Sequence, residues 1–358
     1  MSSSAQTHAS KKRKADQEPA TDPPLADPVL ERSSTFWLDD GNIILQTPTT
    51  QFRVHKSVLN IHSTFFKDMF TLAQADDQPT VDGCPVVSVT DAEEDWDTLL
   101  TMLYHTEPMY FVQTNVLGTV SLIPMLRLGQ KYEFERFKTE ALEQLHLMYP
   151  RTLEGLDDMF NEALCESNPS MRQLQTVGNS EAFEMLNAMT ELRIETVLPV
   201  LYFRCVRERS LVRIYYFRGM RWQTTVSTSQ AEIFEGRDSP DDSVFLSKEM
   251  QFALALGKEK ICERYLTTTF SWWHRGKVAS SCISRASCKK TVNNDLRRML
   301  EDNEDAVLYA LDALGLESGL CQECDKEART AHTIGRQALL DALPSFFGLP
   351  PWDQLKDF

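Results

Sequence analysis

The order of hydrophobic and polar positions predicts a small sheet followed by helices between residues 36 and 150. Short runs of β-branched and aromatic residues predict three strands at 43–45, 52–54 and 86–89. Apolar residues at helical spacing predict helices over 55–60, 63–73, from Thr90 onward, 116–132 and 134–148. The strands are short and clustered while the helices are long, so the pattern predicts an α+β fold whose helices supply most of the core.

The second half of the chain has the pattern of a mainly α-helical region. Apolar residues in helical phase predict helices over 180–209, 246–270 and 294–313. Residues 211–222 mix β-branched and aromatic side chains and fit either a strand or a helix. We therefore predict a helical domain over 151–358.

Composition places the chain among globular proteins. It has 358 residues, of which 42% are hydrophobic and 25% charged, which fits two or three domains. Its formal charge of −15 disfavours broad nucleic-acid binding, although a local basic patch remains compatible with it. No apolar run is long enough for a membrane span, and the polar start does not resemble a secretory signal. We expect a protein of the nucleus or cytoplasm with reduced cysteines.

Residues 1–33 have the composition of a disordered tail, because they contain too few apolar groups to offset the entropy of ordering. Four adjacent cations lie in this tail: Lys11, Lys12, Arg13 and Lys14. Such a cluster on a flexible segment suits an acidic importin groove and is a nuclear-import candidate. The alternative is a solvated run of charge without a receptor.

The element order of residues 34–150, together with particular side chains, resembles the BTB/POZ family. The matching residues are Phe52, His55, Leu59, Ser63, Phe65, Phe66, Met69, Phe70, Leu99, Leu103 and Tyr104. The resemblance implies a short three-stranded sheet capped by helices, and an interaction module that self-associates or binds cullin-type scaffolds or corepressors. Most of these residues are expected to form the core, and His55 is expected to be structural.

Two positions bear on self-association. Many dimeric BTB/POZ domains carry an acidic residue at the start of the first strand and a basic residue after the histidine of the second. Here Lys56 occupies the basic position, whereas Gly41 occupies the acidic one. We expect partner contacts at Lys56, Phe70, Leu72 and Met125.

Beyond residue 150 the chain resembles a group of fungal, mushroom-type BTB proteins that have little assigned function. The resemblance rests on Leu198-Pro199, Arg204-Cys205, Leu246-Ser247, Cys321-x-x-Cys324, His332, Arg336, Leu343-Pro344, Phe347-Gly348-Leu349 and Trp352.

Four cysteines form a candidate zinc site. Cys321 and Cys324 have the spacing with which two thiolates reach one ion from a single turn, and Cys282 and Cys288 would complete a tetrahedron. Similarly placed cysteine pairs recur in the fungal group. His332 is a substitute for the fourth ligand, and buried thiols packed as small apolar groups are the alternative. A zinc site requires the four sulfur atoms to lie within roughly 4 Å of one another.

A basic stretch beside two tryptophans is a candidate nucleic-acid contact, since cations grip phosphates and aromatic rings stack on bases. It comprises Trp272, Trp273, His274, Arg275, Lys277, Arg285, Lys289, Lys290, Arg297 and Arg298. The alternative is favoured, because Glu301, Asp302, Glu304 and Asp305 follow directly and the tryptophans fit a core.

The sequence contains no Gly-x-Ser-x-Gly, no phosphate-binding glycine loop and no His-Glu-x-x-His. We therefore expect a non-enzymatic interaction protein, either an adaptor in ubiquitin-ligase assembly or a nuclear regulator. The alternative is a zinc-bearing transcriptional regulator associated with nucleic acid.

Overall fold

The computed structural model describes residues 30–72, 79–104, 119–160, 179–207, 246–301, 310–314 and 319–358. The prediction of an α+β fold followed by a helical region is confirmed. Among the described residues, the strands all precede residue 90 and the helices continue to residue 346.

One mixed sheet contains five strands: β1 (Glu31–Trp37), β2 (Ile43–Gln46), β3 (Thr50–Val54), β4 (Thr80–Val81) and β5 (Cys84–Ser88). Their order in the sheet is β1-β3-β2-β5-β4. Strand β2 lies at the centre, antiparallel to β3 and parallel to β5. Ile43, Ile44 and Leu45 in β2 are fully buried, as expected for a strand covered on both faces.

The three-stranded sheet that we expected is extended by β1 and β4. Strand β1 pairs parallel to β3 and begins at Glu31, inside the predicted disordered tail. It buries Phe36 alone, so it has no hydrophobic periodicity to reveal it. Strand β4 forms a hairpin with β5 through Asp82 and Gly83, at φ 49° and 75°. Such a dipeptide favours this turn and is the signal that could have located β4.

Five helices cover this sheet: α1 (Lys56–His62), α2 (Thr64–Thr71), α3 (Glu93–Tyr104), α4 (Thr119–Lys131) and α5 (Glu135–Met148). Ser63 fixes the α1–α2 corner, because its hydroxyl accepts from the Phe66 N–H at 3.0 Å and donates to the Tyr132 carbonyl at 2.6 Å. Phe66 is fully buried, and its ring centroid lies 5.5 to 6.1 Å from those of Tyr132, Phe134 and Trp96.

The remaining described helices are α6 (Leu153–Phe160), α7 (Asn179–Glu191), α8 (Leu198–Arg207), α9 (Lys248–Arg264), α10 (Ser271–His274), α11 (Arg285–Glu301) and α12 (Gln322–Phe346). The predicted 180–209 helix is broken after α7, where Arg193 has φ 56°. Helix α11 begins nine residues before the predicted start at residue 294, and α12 was not predicted. No helix in the described ranges combines the length and apolarity of a membrane span.

The two halves of the chain share one core. Their buried apolar residues form a single connected cluster that includes Phe36 and Phe347. Charged contacts reinforce this junction: Arg127 on α4 lies 2.6 Å from Asp95 and 3.5 Å from Glu191 on α7. Near the end of the chain, Asp357 lies 3.2 Å from the His146 Nε2 on α5. We infer that the helical region is held in a fixed relation to the sheet-bearing half.

Candidate metal centre and partner surface

The four predicted cysteines converge. The sulfur atoms of Cys282, Cys288, Cys321 and Cys324 all lie within 4.8 Å of one another. Those of Cys282 and Cys321 are 3.7 Å apart. Four sulfurs bound to one zinc at about 2.3 Å would be about 3.8 Å apart, so the cluster is close to the required spacing. We call these four residues the cysteine cluster.

Two helix beginnings bring the cluster together. Cys288 lies in the first turn of α11, Cys321 is the N-cap of α12, and Cys324 lies in its first turn. Cys282 comes from the segment between α10 and α11. The positive ends of two helix dipoles therefore lie at the cluster, where they favour thiolates, an effect that burial opposes at Cys324.

Backbone groups hold the sulfurs in place. The Ala279 N–H donates to the Cys324 sulfur, and the Cys321 N–H donates to the Cys288 sulfur, both at 3.3 Å. The N–H of Cys324 lowers the pKa of the Cys321 thiol to about 6, whereas burial raises the pKa of the Cys324 thiol to about 12. A cation bound at the cluster would displace the protons that the thiols carry.

This arrangement can hold zinc. Zinc accepts four thiolates in a tetrahedron, and structural zinc sites are closed by four protein ligands. Cys288 and Cys324 are at most 1% exposed, while Cys282 and Cys321 are half-buried, so the centre is largely shielded from water.

His332 does not belong to the cluster, which corrects its role as a substitute ligand. It lies two turns beyond Cys324 on α12 and packs against Phe270, with ring centroids 5.1 Å apart. It is 2% exposed, and burial lowers its pKa to about 3, with Arg336 and Arg329 adding to the effect. The four cysteines by themselves supply the four sulfur atoms that a tetrahedral site requires.

The basic stretch divides into buried aromatics and exposed cations. Trp272 and Trp273 are 4% and 3% exposed, so neither ring is free to stack on a base. The burial of both rings agrees with the alternative that the sequence favoured, in which the tryptophans belong to a core. The exposed cations are Arg275, Lys277, Arg285, Lys289, Lys290, Arg297 and Arg298.

The expected partner contacts on the sheet-bearing half are only partly at the surface. Leu72 is 69% exposed, whereas Phe70 is half-buried against Phe66. Lys56 is half-buried, and its Nζ lies 5.7 Å from the centre of the Phe70 ring. Met125 is fully buried, because α4 packs between α3, α5 and α7. The prediction of a contact at Met125 is therefore wrong.

Two exposed apolar residues were missed. Ile61 is 75% exposed and Phe65 is 39% exposed, and both lie on α1 or α2. Ile61 falls at the end of a helix that we had predicted to stop at residue 60, and we had assigned Phe65 to the core. We call Ile61, Phe65, Phe70 and Leu72 the α1–α2 surface.

Gly41 has a packing role at the position where an acidic residue was expected. A Cβ there would lie 2.9 Å from the Arg53 Cγ, and the Arg53 Nε donates to the Gly41 carbonyl at 2.9 Å. The adjacent Asp40 lies 3.1 Å from the His55 Nε2. His55 also contacts the Tyr104 hydroxyl through its backbone N–H, at 2.8 Å, which agrees with a structural role.

A groove of about 280 Å³ lies between α3, α4 and α7. Its lining includes Asp95, Arg127 and Glu191, which contact one another as described above. Arg127 thus balances two carboxylates, and the groove has the character of a junction between two parts of the fold.

The predicted import cluster, Lys11 to Lys14, lies outside the described residues. Residues 211–222, whose pattern fits either a strand or a helix, also lie outside the described residues. The same holds for the acidic residues Asp302, Glu304 and Asp305.

Comparison with known proteins identifies one domain. Residues 38–148 match the family model described as BTB/POZ domain. The resemblance inferred from the sequence is confirmed for these residues, and this part of the chain is a protein–protein interaction module. No curated protein and no solved structure matches the chain.

Proposed function

We propose that this protein, which carries a BTB/POZ domain at residues 38–148, is a non-enzymatic adaptor or scaffold. The observation that carries the proposal is the α1–α2 surface. Ile61 and Phe65 are exposed on two adjacent short helices of an interaction domain, and Leu72 is exposed directly after the second helix. A partner that covers these side chains would remove apolar area from water, which is the main driving force of most protein association.

A cullin-type scaffold is the partner class that we favour. The charge pair expected in self-associating domains is incomplete, because Gly41 has no room for a carboxylate and Asp40 contacts His55. The exposed helices remain available to a helical partner, which reads apolar side chains at helical spacing. The adaptor would hold a cullin on the α1–α2 surface and a substrate on residues 151–358.

The shared core supports a scaffold. A substrate bound to the helical region would keep a fixed geometry relative to a partner on the BTB/POZ domain, because buried residues and the Arg127 contacts join the two halves. We further propose that the cysteine cluster binds one structural zinc, on the basis of its converging sulfurs and the two helix beginnings that face them.

A capture experiment with the purified amino-terminal domain of a cullin tests the adaptor version. The immobilised full chain should retain cullin at near-stoichiometric yield. Ile61→Asp with Leu72→Asp should lower retention about tenfold or more, because two carboxylates would be desolvated. Leu147→Asp is the matched control, since Leu147 is 66% exposed on α5, away from α1 and α2. Absence of cullin retention by the unchanged chain would contradict the adaptor version.

Nuclear regulation is the second version of the same proposal, supported by Lys11 to Lys14 in the sequence. Deleting these four residues should move a fluorescent fusion from the nucleus to the cytoplasm. An unchanged distribution would contradict import through this cluster. The resemblance of residues 151–358 to fungal BTB proteins stays a prediction.

A further inference from the structure

The outer face of α11 has an unusual composition for a chain of net charge −15. Five exposed residues on this helix carry cationic or amide side chains: Lys289, Lys290, Asn293, Asn294 and Arg297. At about 100° per residue they occupy about 140° of the helix circumference. The carboxylates of α11 are that of Asp295, on the opposite, half-buried side, and that of Glu301, at the last position of the helix.

The cations on this face have no ion-pair partner among the described side chains of residues 246–300. Lys289, Lys290 and Arg297 form no ion pair there, whereas Arg298 lies 3.9 Å from Asp295. Residues 265–294 contain no Asp or Glu at all but include Arg275, Lys277 and Arg285 besides the two lysines. The positive charge is therefore concentrated along 30 consecutive positions without a carboxylate, and the acidic run that begins at Glu301 follows beyond Arg298.

The cysteine cluster fixes the beginning of this helix. Cys288 is buried directly before Lys289 and Lys290, and Cys321 donates its N–H to the Cys288 sulfur at 3.3 Å. The side chains that follow are thus presented from an anchored helix, which lowers the entropy lost on binding a rigid partner.

We infer that this α11 face binds the phosphate backbone of duplex nucleic acid. Lysine and arginine neutralise phosphates, and asparagine and arginine are the side chains that reach base edges in the major groove. The helix has 17 residues and is therefore about 25 Å long. With its side chains an α-helix is about 10–12 Å across, which fits a major groove about 12 Å wide. Binding by stacking on a single strand is disfavoured, because Trp272 and Trp273 are buried.

An anionic membrane is the competing partner for such a surface. It would use Ile283, which is 86% exposed just before α11. The outer face of the helix, however, carries one large apolar side chain, Leu300, near its end, and mainly polar residues elsewhere, whereas membrane-bound helices carry several large apolar ones. The observations therefore favour the duplex.

Fluorescence anisotropy with a labelled duplex of about 30 base pairs at 50–200 mM salt tests the inference. The zinc-loaded full chain should bind, with an affinity that falls as salt rises. Lys289→Glu, Lys290→Glu and Arg297→Glu together should weaken binding at least about tenfold and lower the salt slope by about 2 to 3. The matched control reverses three exposed cations elsewhere, Lys67→Glu, Lys248→Glu and Lys356→Glu, and should bind like the unchanged chain.

Both triple variants change the net charge equally, and their thermal unfolding should match that of the unchanged chain because all six side chains are exposed. Equal weakening in both variants would show that only net charge matters and would overturn the inference. Absence of duplex binding at 50 mM salt would also overturn it, as would binding to phosphatidylserine vesicles without binding to the duplex. The BTB-based function can fail while this inference stands, because cullin capture and duplex binding are measured separately.

Discussion

Helix α5 of the BTB/POZ domain and helix α11 beside the cysteine cluster differ in how they are held. The 14 residues of α5 include Phe137, Ala141, Leu145 and Met148 as buried side chains. In α11, only Cys288 and Val292 are buried among residues 285–300. Apolar burial stabilises a helix by roughly 1.5–3 kcal/mol for each large side chain, so α11 lacks most of the contribution that α5 receives.

This difference supports our proposal that the four cysteines bind a metal, whose ligation would replace apolar packing around α11. A zinc ion bound by four thiolates would tie residue 282, the start of α11 and the start of α12 to one point. We therefore propose, as the central claim, that the apolar core stabilises the BTB/POZ domain and that a bound metal stabilises the described residues around the cysteine cluster.

Removing one ligand should have the largest effect. Cys324→Ser should reduce zinc from about one per chain to near none, because a serine hydroxyl is a poor zinc ligand and the remaining three thiolates leave the site open. Metal analysis of the purified chain measures this. Cys262→Ser is the control, since Cys262 lies outside the cluster. Full zinc content in the Cys324 variant would contradict the ligand assignment.

Truncating a buried aromatic side chain should destabilise the BTB/POZ domain. Phe66→Ala should lower the free energy of unfolding by about 3–5 kcal/mol, because Phe66 is fully buried among Tyr132, Phe134 and Trp96. Urea unfolding followed by circular dichroism measures the loss. Phe65→Ala should cost much less, since Phe65 is 39% exposed. Similar losses for the two variants would show that this core is not where the stability resides.

Acidification should destabilise the region around α12 through His332. Burial lowers the pKa of His332 to about 3, against 6.5 in the unfolded chain. The unfolded state therefore binds one more proton between these values, so this contribution is complete above pH 6.5 and decreases as pH falls. The loss at pH 5 amounts to about 2 kcal/mol.

The variant His332→Leu separates the contribution of His332 to the pH dependence of stability from that of the cysteines. Protonation of the cysteines affects the unchanged chain and the variant alike. Urea unfolding at pH 7 and pH 5 should show a smaller pH dependence for the variant, by about 2 kcal/mol. Equal pH dependence in the two proteins would contradict a neutral buried His332.

The smallest expected effect concerns self-association. Gly41→Asp supplies the carboxylate found in many dimeric domains, but its Cβ would lie 2.9 Å from the Arg53 side chain and 3.0 Å from its backbone. We expect a loss of stability of about 1–3 kcal/mol and no gain of dimer. Light scattering coupled to size exclusion measures the mass. A stable dimer formed by the variant would show that the glycine alone had prevented pairing.

The two regions also differ in how far the sequence predicted them. Phe52, Leu59, Phe66 and Leu99 keep the spacing of their strands and helices, and all are buried as expected. Strand β1 escaped prediction because only Phe36 is buried in it, so pairing with β3 defines the strand. Hydrogen bonds to a neighbouring strand leave no periodic trace in the sequence.

At the candidate sites, spacing identified the ligands but not their surroundings. Cys321 and Cys324 were recognisable as a pair, yet the N–H donors of Ala279 and Cys321 depend on tertiary approach. Met125 was misjudged because α4 packs between α3, α5 and α7, the last of which begins more than 50 positions later in the chain. Exposure of one side chain is set by distant segments, and a local pattern does not contain that information.

Hydrogen exchange with and without a chelator tests the central claim most directly. The zinc-loaded chain is compared with the same chain after treatment with EDTA, and amide protection is read in α5 and α11. We predict that residues 285–300 lose protection on chelation while residues 137–148 keep theirs, because only the former depend on the metal. Unchanged protection of α11 after complete removal of zinc would contradict the claim.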